Sequence, residues 1–128
     1  MKTLLDTHAL LWWFSDDPAL TKRARRVIEE TRNEIFVSAA SAWEVATKVR
    51  IGKLPAAADL IAGFDGYLGR EGFQTLAMSV DHAIRAGSLP GPLKDPFDRM
   101  LIAQAQADNM PIVSIEEVFD GYGLRRIW

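Results

Sequence analysis

Short apolar runs alternate along this chain with segments of helical periodicity, and that alternation limits the fold more than any other feature of the sequence. The runs are Thr3–Leu5, Ile35–Ser38, Phe73–Met78, Ile112–Ser114 and Leu124–Trp128. Between them a short Trp-rich helix spans about Thr7 to Phe14, and Pro18 is suited to open the next, marked by Leu20, Ala24, Val27 and Ile28. A further helix carries Ala42, Val45, Ala46 and Val49 on one face and stops near Gly52. Pro55 leads into another, marked by Leu60, Ile61, Phe64 and Leu68 and ended by Gly72; Ser79–Ala86 and Pro96–Asp108 complete the set. Strands separated by helices cannot pair through tight hairpins, so the expectation is an α/β fold with a mainly parallel sheet covered on both faces. No repeat, low-complexity tract or linker divides the chain, which reads as one domain over residues 1–128.

Four carboxylates fall where such a fold would gather them. Asp6 closes the first apolar run, and Glu44 lies six residues beyond Ile35–Ser38. Asp98 stands in Lys94-Asp95-Pro96-Phe97-Asp98-Arg99, just inside a helix start, and Glu116 follows Pro111-Ile112-Val113-Ser114. In a parallel sheet the loops leaving the carboxyl ends of the strands open on one edge, where α/β folds bind ligands. A crossover helix begins at that same edge, which brings Asp98 to the other three. Gathered acids repel by roughly 4 kcal/mol per pair at ~4 Å and an effective dielectric of ~20. A divalent cation relieves that repulsion, and oxygen donors without His or Cys suit Mg²⁺ or Mn²⁺.

Each acid also has a purely structural reading. Ser41-Ala42-Trp43-Glu44 has the form of a capping box, and Glu44 can pair with Lys48 four residues on. Asp95 can cap a helix whose first residue is Pro96, with Asp98 at its positive end. Asp6 can cap the first helix. The conjunction of the four, not any single one, favours the metal.

Composition closes off other chemistries. There is no cysteine, which excludes disulfides, thiolate metal sites and cysteine nucleophiles and fits a cytoplasmic protein. Asp6 and His8 interrupt the apolar N-terminus and no small-residue cleavage site follows, against a signal peptide. No apolar stretch approaches membrane-spanning length. The net charge of −2 requires any nucleic-acid partner to be held by local basic patches. Lys22, Arg23, Arg25 and Arg26 form the densest run; Lys48, Arg50 and Lys53 extend from the helix bearing Glu44 and are the better candidates for phosphate contacts, although such runs are commonly solvated helix faces.

The blocks Leu4-Leu5-Asp6-Thr7-His8-Ala9-Leu10-Leu11-Trp12, Ser41-Ala42-Trp43-Glu44-Val45-Ala46-Thr47-Lys48 and Asp95-Pro96-Phe97-Asp98-Arg99-Met100-Leu101-Ile102-Ala103-Gln104-Ala105, with the tail from Pro111 to Trp128, resemble in content and order a PIN-domain ribonuclease, more narrowly a VapC-type toxin of a toxin–antitoxin pair. The resemblance covers essentially the whole chain. It implies a three-layer α/β/α sandwich and a metal site of Asp6, Glu44 and Asp98 with a fourth acid near the last strand. It further implies divalent-metal-dependent hydrolysis of RNA, a homodimer, and an antitoxin docked on apolar surface from the early helices, where Trp12, Trp13, Phe14, Leu60 and Phe64 lie. The Thr-x-Asp usual in that family reads Ser114-Ile115-Glu116 here. Glu116 is one methylene longer, which leaves Glu117 and Asp120 open as alternatives. Asp95 and Ser114 are expected to support the acids from behind. His8 is a candidate general acid, but a lone His on an apolar helix more often packs. Two other functions stay open: an aspartate-based phosphatase, against which His8 stands where a second Asp is wanted, and a PIN-like binding scaffold with weak or no turnover.

Overall fold

The apolar run at the N-terminus becomes the central strand of the sheet. In a computed structural model describing all 128 residues, β1 (Lys2–Leu5) is flanked in parallel by β2 (Glu34–Ser38) and β4 (Ile112–Val113), with Leu4 opposite both Phe36 and Ile112. β3 (Gln74–Leu76) and β5 (Arg126–Ile127) form the edges, the order is β3-β2-β1-β4-β5, and every pairing is parallel. The chain thus builds outward from β1 to β3, then returns to the other side of β1. This reversal places a crevice outside the carboxyl ends of β1 and β4.

Two-residue alternation divides the core between the faces of the sheet. Leu5, Ile35, Val37, Val113 and Ile127 pack with Ala9 and Leu10 of α1 (Thr7–Phe14), Ala24 and Ile28 of α2 (Lys22–Glu29), and Leu68 of the helix Phe64–Glu71. Leu4 and Ile112 face the other way, onto Leu101, Ile102 and Ala105 of the helix Pro96–Ala107 and onto Phe119. These are the three layers expected of an α/β/α sandwich. The remaining helices are α3 (Ala39–Arg50), α4 (Ala58–Ala62) and α6 (Val80–Ser88); Phe64–Glu71 is α5 and Pro96–Ala107 is α7. None is long and apolar enough to cross a membrane.

Several boundaries differ from the sequence reading. Pro18 lies in a turn, and α2 begins at Lys22, where Thr21 Oγ1 accepts from the Ala24 amide at 3.1 Å. The segment from Pro55 to Gly72 is no single helix: after a 3₁₀ turn over Pro55–Ala57, α4 and α5 are separated by Gly63. Glycine there weakens a helix by roughly 1 kcal/mol, enough to concede a bend that lets Leu60 and Leu68 both be buried. Gly72 does end α5, at φ 73°. The edge strands are shorter than expected, and Gly123 at φ 74° delays the last until Arg126. α3 starts at Ala39, capped by Ser38, whose hydroxyl accepts from the Ala40 amide at 3.0 Å. The Ser41–Glu44 capping box is therefore absent, because the helix begins a turn earlier.

Candidate active site

Asp6 follows directly on β1, and its Oδ1 accepts from the Ala9 amide at 2.8 Å, so the first acid caps α1 from the end of the central strand. It is almost fully buried, and burial pushes its carboxyl up from 3.8 to about 6, against hydrogen bonds from Ser114 and Ala9. Ser114, fully buried at the end of β4, accepts the Glu116 amide at 2.9 Å; its own hydroxyl proton is thereby left for Asp6.

Glu44 reaches the site through the rotational setting of α3. Ala46, expected inside, is exposed, whereas Ser41, Glu44 and Val45 face inward. Ser41 accepts a hydrogen bond from Thr7 Oγ1 at 3.0 Å, fastening α3 to the start of α1 beside Asp6. Lys48 closes on the Glu44 carboxylate in a short ion pair. Lys48 is thus committed to an acid, while Arg50 and Lys53 remain exposed.

Asp98 stands in the first turn of α7. Asp95 caps that helix, its Oδ1 accepting from the amides of Phe97 at 2.9 Å and Asp98 at 3.1 Å. The Asp98 carboxyl is pushed up from 3.8 to about 7, first by burial and then by the charges of Asp95, Glu44, Asp6 and Glu116. Acids from four separate segments therefore lie within one electrostatic field. Glu116 is half-exposed and turned toward His8, with Nδ1 and Oε1 3.7 Å apart. Of the alternatives for the fourth position, Asp120 binds Arg126 through both oxygens, at 2.9 and 3.1 Å, and Glu117 is exposed.

In their present side-chain positions the acids do not form a closed ligand shell: no three His, Cys, Asp or Glu side chains converge tightly enough to hold an ion. Glu44 faces Lys48 and Glu116 faces His8. The donor set nonetheless suits a hard cation: all four are carboxylates, and burial and neighbouring acids raise two of them, Asp6 and Asp98.

His8 is half-exposed and stacks on Trp12 at 5.4 Å between ring centroids. It also lines an apolar groove of about 410 Å³ with Leu11, Trp12, Phe14, Leu54 and Leu60. The groove thus opens beside the acids. Sequence reasoning missed the Thr7–Ser41 bond and a buried bridge in which Ser38 donates to Gln104 Oε1 while Gln104 Nε2 donates to the Ala77 carbonyl at 3.2 Å. The available signal was a polar residue on the inward side of a helix, three or four positions from an apolar one.

A family model described as PIN domain matches residues 3–123. Ribonuclease VapC16 of Mycobacterium tuberculosis (strain ATCC 25618 / H37Rv) is 42% identical over 59 residues, 46% of this chain and 40% of that protein, so the match spans less than half of the curated relative. Among solved structures, VapBC2 from Rickettsia felis bound to a promoter DNA fragment superposes with a TM-score of 0.72 at 18% identity, covering 98% of this chain and 97% of that one. VapBC-1 from nontypeable Haemophilus influenzae gives 0.66 at 15% identity, covering 98% and 96%; a toxin–antitoxin complex from Klebsiella pneumoniae gives 0.58 at 20%, covering 90% and 87%. At these identities the likeness is one of fold.

Proposed function

This chain belongs to the PIN-domain family, and on that premise we propose that it is an endoribonuclease dependent on Mg²⁺ or Mn²⁺, acting in the cytoplasm as the toxin of a toxin–antitoxin pair. The observation that carries this reading is the Asp98 carboxyl at about 7, raised by burial and by carboxylates from three other segments of the chain besides its own Asp95. A site that gathers charge against its own electrostatics is a functional candidate. The name of the curated relative supports RNA as the substrate.

Asp6 and Asp98 would hold the cation, with Glu44 and Glu116 binding it directly or through water. A bound Mg²⁺ or Mn²⁺ supplies Lewis-acid polarisation of a phosphate oxygen and lowers the pKa of a bound water. The chain's own residues do the rest. Ser114 and the Ala9 amide fix the Asp6 carboxylate. Glu44, where it does not bind the cation directly, would orient the attacking water. Lys48 pairs with Glu44, and Arg50 at the end of α3 and Lys53 just beyond it are exposed and would meet substrate phosphates.

The neighbouring structures are toxin–antitoxin complexes, and the apolar groove beside His8 suits the apolar face of an antitoxin helix. A partner there would overhang the acids and block RNA. Val80 and Ile84, 77% and 64% exposed and one turn apart on α6, are surface that a second copy would cover in a homodimer.

The test uses purified, antitoxin-free protein on RNA. Cleavage is expected with Mg²⁺ or Mn²⁺ and lost with chelator or in Asp6→Asn. Cleavage that survives both treatments defeats the metal mechanism. Phosphate release from small phosphomonoesters with RNA untouched favours a phosphatase, and antitoxin binding without turnover favours a scaffold.

A further inference from the structure

Arg99 follows Asp98 in the sequence, yet its guanidinium is given over to backbone carbonyls. Nε donates to Ala86 at 2.9 Å, Nη1 to Leu93 at 2.8 Å, and Nη2 to Leu89 at 2.7 Å and Gly87 at 3.4 Å. Ala86 and Gly87 belong to the last turn of α6, whose carbonyls have no partner within the helix. Leu89 and Leu93 bracket Pro90-Gly91-Pro92, where two of three residues lack an amide donor. This segment cannot organise itself by its own hydrogen bonds, and one side chain gathers both of its ends.

A second fastening holds its middle. The Tyr122 hydroxyl donates to the Pro90 carbonyl at 2.9 Å, and the Gln106 amide of α7 donates to the Tyr122 carbonyl at 3.0 Å. Gly91, at φ 88°, lies so close that a Cβ there would sit 3.1 Å from the Tyr122 oxygen. Residues 87–93 therefore form a strap between α7, which bears Asp98, and the 3₁₀ turn Glu117–Tyr122, which follows Glu116. Two residues past the strap stands Asp95, which caps α7 and receives the Asp98 amide.

We propose that Arg99 is a positioning residue for the acid cluster, which by fastening the strap to α7 sets where Asp98 stands relative to Asp6 and Glu116. It touches no substrate. Only a planar fork with five donors can span four carbonyls; a lysine, with its donors on one nitrogen, cannot. The inference rests on the metal site proposed above, and its test separates the two.

Mn²⁺ binding to the full chain is measured by loss of the free-ion electron paramagnetic resonance signal, below the melting temperature of every variant. The wild type, Arg99→Gln, Arg99→Lys and Asn33→Ala are compared. Asn33 donates to the Val27 carbonyl at 2.9 Å just before β2, at the amino ends of the strands and away from the acids, and serves as a variant of reduced stability only. Arg99→Gln is expected to weaken Mn²⁺ binding by roughly 10- to 100-fold, as loss of a support behind metal ligands does. Arg99→Lys should fall between it and the wild type, and Asn33→Ala should bind as the wild type does. Binding by Arg99→Gln within twofold of wild type overturns the proposal, and if that variant does not fold, the same result for Arg99→Lys does so. Equal weakening in Asn33→Ala overturns it too, by showing a general effect of stability. Absence of Mn²⁺ binding in the wild type instead defeats the metal site itself, and this inference with it.

Discussion

Asp6→Asn should abolish activity and at the same time stabilise the metal-free protein. Asp6 sits at the carboxyl end of the central strand with about 3% of its surface exposed, and burial holds its pKa at about 6 against an ordinary 3.8. Because the folded-state value lies above the unfolded one, the carboxyl's favourable contribution is complete below about pH 3.8 and is lost as pH rises through about 6. At about pH 8 the folded protein carries an ionised group worth about 3 kcal/mol of destabilisation relative to its protonated form. Asparagine resembles that protonated form in shape and can still accept from the Ala9 amide, so the cap on α1 survives. For a domain of this size about 3 kcal/mol corresponds to a rise in Tm of roughly 10 °C. The assay is thermal unfolding by circular dichroism in chelator, from about pH 4 to about pH 8. The wild type and variant should melt together at the acid end and diverge as pH rises through 5 to 7, with the variant higher. A difference independent of pH, or a variant less stable at about pH 8, refutes the assignment of Asp6 as a buried carboxylate held at a cost.

Adding Mg²⁺ or Mn²⁺ at about 100 times its Kd should raise the stability of the wild type by about 2.7 kcal/mol and leave Asp6→Asn unchanged, as read from the same melts. Apparent Mn²⁺ affinity should fall as pH is lowered through about 7 and then about 6, where protons compete for Asp98 and Asp6; a flat titration contradicts their role as ligands. Gln104→Leu strips the Ala77 carbonyl and the Ser38 hydroxyl of their partner and should cost about 1–3 kcal/mol in urea unfolding. Asp95→Ala removes the cap on α7 and should cost about 0.5–2 kcal/mol in the same measurement.

Much of the fold is legible because it follows from local pattern. Leu4-Leu5 and Ile112-Val113 announce buried strands, and the helices between them force parallel pairing, which the sheet adopts throughout. Asp6 and Asp95 could be read as caps because a carboxylate before a helix finds free amides wherever that helix packs. Glu44 was harder to place. The Ala42, Val45, Ala46 and Val49 pattern marks an apolar face of α3 without placing Glu44, and the contact of Thr7 with Ser41 shows the turn of the helix that buries it. Lys48 read both as a candidate for phosphate and as a partner for Glu44 four residues on, and it lies against Glu44. Arg99 carried no signal, since its four acceptors are backbone carbonyls and bear no residue identity.

The chain itself determined which segments are strands, which are helices, and that the carboxylates after β1 and β4 and at the start of α7 lie toward one edge. These follow from periodicity and from the handed, parallel connection of successive units, both properties of neighbouring residues. Tertiary packing alone decided how far each carboxylate is withdrawn from water, which partner each faces, and that Asp98 rises to about 7. Desolvation and mutual repulsion depend on distances between groups far apart in sequence, and those distances exist only once α3 and α7 have settled against the sheet.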